Sequence, residues 1–142
     1  MEWFAGVVIT GHGVAGGSAA DSPYSAGSIS LQQPHFLTAG IDLSPYFSGT
    51  LNVDLTPHKP PQSERVVFDG VLHWHGDIVE RFTLARVDCR VVVHKIGREV
   101  EGLWYYPHPE TKPAHFQRDT VVELLLPFVE GIAAGDTVSI KF

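Results

Sequence analysis

The chain is 142 residues long, with sixteen acidic side chains against ten lysines and arginines and a formal charge of −6. That length holds one domain over residues 1–142, and a 44% share of hydrophobic residues excludes a chain too polar to bury a core. The acidic balance excludes a general nucleic-acid binder, the lack of any run near about 18 apolar residues excludes a membrane-spanning helix, and the lone Cys89 excludes an internal disulfide. The start of the chain has no basic flank followed by an apolar block, so no signal peptide is expected, and the protein is predicted to be cytoplasmic.

Fourteen glycines and ten prolines cut the chain into short segments rich in Val, Ile, Phe and Trp, which read as strands. Residues 3–10 form the first. Residues 11–27 are a loop of Gly, Ala and Ser, longer than an ordinary connection, and loops of that kind are functional or disordered. Residues 32–43 hold a helical turn or two. A strand follows at 49–55, a loop with three prolines at 56–64, and another strand at 65–72. Residues 77–86 and 87–93 are two strands or one long bent one, and 102–106 is a further strand. A second Pro-rich loop covers 108–114, then come a strand at 120–126, a short helix at 128–133 and a closing strand at 136–142. About seven strands at regular turn spacing predict an all-β barrel or sandwich with one or two short helices.

Several groups of residues bear on chemistry. Gly11-His12-Gly13-Val14-Ala15-Gly16 has the G-x-G-x-x-G spacing, but Gly17 to Pro23 offers no helix to follow it, so a dinucleotide fold is excluded. What survives is a glycine loop whose consecutive N–H groups can cradle a phosphate, or a plain surface loop. In Gly49-Thr50-Leu51-Asn52-Val53-Asp54-Leu55, strand alternation puts Leu51, Val53 and Leu55 on the core face, and Thr50, Asn52 and Asp54 on a face toward a pocket or solvent. Thr50 and Asn52 are then neighbouring oxygen ligands of the kind Mg²⁺ takes. Glu123 lies in the apolar run 120–127, facing solvent or partnered in a pocket; pocketed, desolvation would raise its pKa toward general-base work. Trp104-Tyr105-Tyr106, followed by His108-Pro109-Glu110-Thr111, offers a wall for a planar ligand or simply core packing. His73-Trp74-His75 with Glu80 has a spacing similar to the first metal motif of cupins, with His115 as a fourth ligand. The preferred alternative is two histidines on the exposed face of a hairpin that turns at Gly76-Asp77.

Taken in order, these pieces resemble the archaeal CTP-dependent riboflavin kinases, small cradle-loop β-barrels. The resemblance runs through the opening strand and glycine loop, Pro45-Tyr46-Phe47-Ser48-Gly49-Thr50-Leu51-Asn52-Val53, Pro109-Glu110-Thr111, Val122-Glu123-Leu124-Leu125-Leu126-Pro127 and Gly135-Asp136-Thr137-Val138-Ser139-Ile140. It implies a riboflavin-kinase-like β-barrel of about six to seven strands. It also implies Mg²⁺ held by Thr50 and Asn52, a nucleotide, CTP as donor, on Gly11, His12, Gly13 and Gly16, and a flavin at Thr111 and Glu123, with Glu123 catalytic. The activity it implies is Mg²⁺-dependent transfer of a nucleotide phosphoryl group to riboflavin, giving FMN, with small-molecule partners only. Arg65, Arg98, Lys112 and Arg118 are further candidates for phosphate contacts. Two other functions stay open. One is a non-catalytic binding barrel, favoured by Phe128-Val129-Glu130-Gly131 where the family has a Leu-Arg segment. The other is a cupin-like metal protein using His73, His75 and Glu80.

Overall fold

The computed structural model describes residues 2–10, 23–24, 29–108 and 118–142, without the side chains of His75 and Ile78. Its elements in chain order are β1 (Trp3–Val8), α1 (Ile29–Thr38), β2 (Leu51–Asp54), β3 (Val66–His75), β4 (Ile78–Val93), β5 (Ile96–Pro107), β6 (Val121–Leu125) and β7 (Thr137–Lys141). The strands hydrogen-bond in the order β3-β4-β5-β6-β2-β1-β7, and β7 pairs back onto β4. Every pairing is antiparallel. The chain is therefore an all-β, closed six-stranded barrel with β3 as an extra strand. The length of β4 makes this possible: one of its edges serves β3 up to Ala85 and β7 from Asp88 to Val92, while the other runs along β5.

Strand alternation divides the buried side chains into two cores on either side of one wall. Leu51 and Val53 of β2, Val87, Cys89 and Val91 of β4, Val122 and Leu124 of β6, and Val138 and Ile140 of β7 fill the barrel. On the other face of the same strands, Phe82 and Leu84 of β4, Leu103 and Tyr105 of β5, and Leu125 of β6 point outward. They are covered by Ile29 and Phe36 of α1, Leu43, and Leu72 of β3. β5 and β6 approach so closely that a Cβ on Gly102 would collide with the Leu125 carbonyl and the Leu126 side chain. α1 stops in a Schellman arrangement: Gly40 takes φ +96°, Gly40 N–H bonds to the Leu37 carbonyl at 2.9 Å and Ile41 N–H to the Phe36 carbonyl at 2.8 Å.

One sequence expectation is narrowed and two change. The segment expected as two strands or one is the single strand β4. β5 starts at Ile96 rather than 102, because His94 and Lys95 make a two-residue hairpin turn with φ of 51° and 65°. That is the geometry of a tight hairpin turn, here without the Gly or Asn that announces one. Residues 128–133 are not helical: Gly131 adopts φ +83°, and Val129 and Ile132 both turn inward onto the barrel core. The turn expected at Gly76-Asp77 is present, with Gly76 at φ +52°. No helix among the described residues is long and apolar enough to cross a membrane.

Cys89 sits inside the barrel with no exposed surface, and burial pushes its thiol up to about 12. Since the thiolate is the reacting species, native protein is expected to stay unlabelled by a disulfide-exchange reagent at pH 8 and to label once denatured. Rapid labelling of the native protein would contradict the barrel packing.

Candidate functional site

The outer face of the shared wall carries polar groups among its apolar ones. β2 runs between β1 and β6, with Asn52 opposite Glu123 in register. The segment leading into β2 is pinned by the Phe47 N–H to Leu126 carbonyl bond, 2.8 Å, and Leu51 bridges to Tyr24. These backbone ties bring Thr50 next to β6, where its hydroxyl donates to Glu123 Oε1 at 3.1 Å. Thr50 is 3% exposed and Asn52 1%, so at these two positions the polar face is buried rather than solvated, while Asp54 stays half-exposed. Oxygen-bearing side chains from two distant parts of the chain thus come together: a hydroxyl and an amide from residues 50 and 52, and a carboxylate from Glu123.

Tyr105 extends the group on the other side. It pairs with Glu123 across β5 and β6, and its hydroxyl donates to Gln32 Oε1 of α1 at 2.8 Å. Burial drives its phenol well above the usual tyrosine range, and the negative charges of Glu123 and Glu80 reinforce the shift. Glu80, also fully buried, accepts a 2.8 Å hydrogen bond from the Trp74 indole N–H. At the far end of β2, Asp54 bonds to Thr56 Oγ1 at 2.6 Å and Arg118 at 2.6 Å. The Thr56 hydroxyl is the main reason its carboxyl lies below the ordinary range.

The donor set suits Mg²⁺, a hard cation that takes oxygen ligands and completes its shell with water and substrate phosphates. Thr50 and Asn52 would supply two such oxygens, beside the Glu123 carboxylate on the adjacent strand. Gly11, His12, Gly13 and Gly16, expected on the nucleotide, and Thr111, expected on the flavin, lie outside the described residues, as do His115 and Lys112.

Other expectations are redistributed. The aromatic run does not form one wall, because successive strand residues face opposite sides. Trp104 packs inward, edge-on to Phe142 at 5.1 Å; Tyr106 is on the surface against His108; only Tyr105 joins the site. Of the trio His73, His75 and Glu80, His73 and Glu80 lie on opposite faces, and the His75 side chain lies outside what the structure describes. Leu72 is the cross-strand partner of Glu80 and shares its buried face, so the adjoining His73 is turned to the exposed face. Among the described residues, no group of three His, Cys, Asp or Glu side chains is arranged to hold a metal. Arg65 is engaged by Asp88 at 3.3 Å and the Lys141 carbonyl at 2.7 Å, Arg118 by Asp54, and Arg98 is exposed.

Gln32 and the outward role of Tyr105 were not foreseen. Tyr105 was readable from alternation against Trp104, but Gln32 had no signal, being one of two adjacent glutamines before Pro34. Compared with known proteins, the chain matches no family model and no curated protein.

Proposed function

We propose that the protein is a Mg²⁺-dependent phosphotransferase of the riboflavin kinase type, moving the terminal phosphoryl group of a nucleotide, CTP as the expected donor, to the primary hydroxyl of riboflavin. The observation that carries this reading is the meeting of buried Thr50 and Asn52 with half-buried Glu123 on one face of the sheet. Phosphoryl transfer depends mostly on positioning and charge neutralisation; this group would supply the positioning and the seat for a neutralising Mg²⁺.

Thr50 and Asn52 would hold Mg²⁺, which when bound neutralises phosphate charge. Glu123 orients the acceptor hydroxyl and takes its proton as the oxygen bonds to the γ-phosphorus. The bond from that phosphorus to the bridging oxygen breaks, and the nucleoside diphosphate leaves with the electron pair. The Thr50 hydroxyl, donating to Oε1, holds the Glu123 carboxylate in one orientation, so that Oε2 is the natural oxygen for the proton. The glycine loop 11–16 belongs to this proposal as the nucleotide cradle and Thr111 as a flavin contact.

The test is direct. Purified protein with riboflavin, MgCl₂ and CTP or ATP is expected to form FMN, detected by chromatography, and EDTA is expected to stop it. Ligand binding without FMN under all donors would replace this reading with a non-catalytic binding barrel.

A further inference from the structure

A strand at the end of a sheet presents a row of N–H and C=O groups ready to pair, and proteins blunt such edges with Pro, Lys, inward-pointing charges or bulges. β3 is that strand here: among the described residues it pairs with β4 and with no other strand. Its ten residues contain no Pro and no Lys, and their one carboxylate, Asp69, is on the exposed face. Its pairing with β4 shifts register at Val66/Phe68 and at His73/His75, which leaves 68–73 regular between the two irregularities. The direction of the edge groups follows from β4. Arg81 turns its carbonyl away from β3, to the His108 N–H at 2.9 Å, so the neighbouring Phe82 turns its backbone groups toward its β3 partner Gly70. Backbone groups alternate sides along a strand. Phe68, Gly70 and Leu72 therefore bond to β4, and Asp69, Val71 and His73 aim their N–H and C=O at the open edge. The side chains of the same three residues are exposed, Val71 by 53%, with the exposed Val79 beside His73 on β4. Phe68 and Trp74 lie on the other face, at the border of the outer core.

We propose that β3 is the interface of a homodimer, pairing antiparallel with β3 of a second copy of this chain about a two-fold axis at Val71. A two-fold interface must be self-complementary, and this strand is. With Val71 opposite itself, Asp69 stands opposite His73 of the second copy, a carboxylate acceptor against a ring N–H donor. Arg81 already holds that carboxylate on the exposed face through two 3.0 Å hydrogen bonds. At the axis the two valines meet, flanked by Val79. On the other face Phe68 comes opposite Trp74 of the second copy, which continues the outer core across the axis. Every outward N–H and C=O of Asp69, Val71 and His73 gains a partner in this register, the sheet-edge mode of recognition. Moving the axis to Gly70 would set Asp69 against Val71 and forfeit the pair with His73. The register favours a second copy over a foreign strand, because the strand read backwards supplies the donor for its own acceptor. One strand edge is small beside the ~1,200–2,000 Å² of a stable complex, so the dimer is expected to dissociate on dilution. It does not depend on phosphoryl transfer.

Sedimentation velocity of the full chain, from micromolar to millimolar concentration, is expected to show a species of twice the 15.6 kDa chain mass that grows with concentration. Val71→Lys sets like charges opposite each other at the axis and is expected to raise the dissociation constant at least about tenfold. The exposed site should leave the melting temperature of the single chain unchanged. Val71→Cys reads the register. Facing residues of a hydrogen-bonded antiparallel pair have Cα atoms about 5.5 Å apart, within the range a disulfide spans. Oxidised Val71→Cys is therefore expected to run as a covalent dimer under conditions where Ile96→Cys, exposed at the far end of β4, stays a single chain; the native Cys89 is buried and does not compete. A wild type that is monomeric at every concentration overturns the self-pairing and points to a strand of another protein as the occupant of the edge. A dimer undisturbed by Val71→Lys, or Val71→Cys that cross-links no better than Ile96→Cys, overturns it equally by placing the interface elsewhere. If Val71→Lys melts well below the wild type, the cross-linking of Val71→Cys decides.

Discussion

Asn52→Ala is expected to lower Mg²⁺-dependent phosphoryl transfer by about 10²- to 10³-fold, the loss typical when one preorganised charge-stabilising group is removed. Asn52 of β2 and Thr50 just before it are the two groups on the Glu123 side of this segment, and both are nearly inaccessible to solvent. Water therefore cannot substitute freely for a missing ligand. Thr50→Val removes a hydroxyl while keeping volume and strand preference, and should cost activity similarly. Thr50→Ser restores the oxygen and should recover most of it. Calorimetric titration with MgCl₂ and CTP distinguishes a metal role from a structural one: the two damaging variants should lose Mg²⁺-dependent nucleotide binding while retaining a cooperative melt. Unchanged binding in a Thr50→Val/Asn52→Ala double variant would remove these residues from the metal site.

The same strand shows what a sequence can and cannot disclose. Alternation in Thr50-Leu51-Asn52-Val53 separates an apolar face from a polar one, and the structure keeps that division. Nothing local says that the polar face is buried. That depends on contacts between residues tens of positions apart, such as Thr50 with Glu123 and Gln32 with Tyr105. The barrel class was legible from short β-branched segments and turn spacing, whereas the closure of β7 onto β4 was not, since it requires β4 to continue past its partnership with β3. His94 and Lys95 carry positive φ without a turn residue to betray it, which hid the first half of β5. The second, outer core was hidden for a related reason: α1 contains Pro34 and lacks a clean apolar stripe, so its burial of Ile29, Gln32 and Phe36 is dictated by the wall it covers rather than by its own pattern.

Phe36→Ala is expected to be the most damaging single change to the architecture of the site. The ring has no exposed surface and meets Phe68 at 5.4 Å and Phe82 at 5.3 Å, both edge-on. Truncating a buried phenylalanine costs about 3–5 kcal/mol, a large share of the roughly 5–15 kcal/mol that holds a domain together. The cost should fall unevenly. Phe36 belongs to the outer core, while the barrel core is built from other residues and closed by a complete ring of strand pairings. α1 is the element with most to lose, because Phe36 is one of three buried residues that seat it. In hydrogen exchange, amides of α1 in Phe36→Ala are expected to lose nearly the whole 3–5 kcal/mol of protection through local opening, with β7 amides losing distinctly less. Equal loss of protection in α1 and β7 would show instead that the two cores unfold as one unit and that α1 is not a separately adjustable cover of the site.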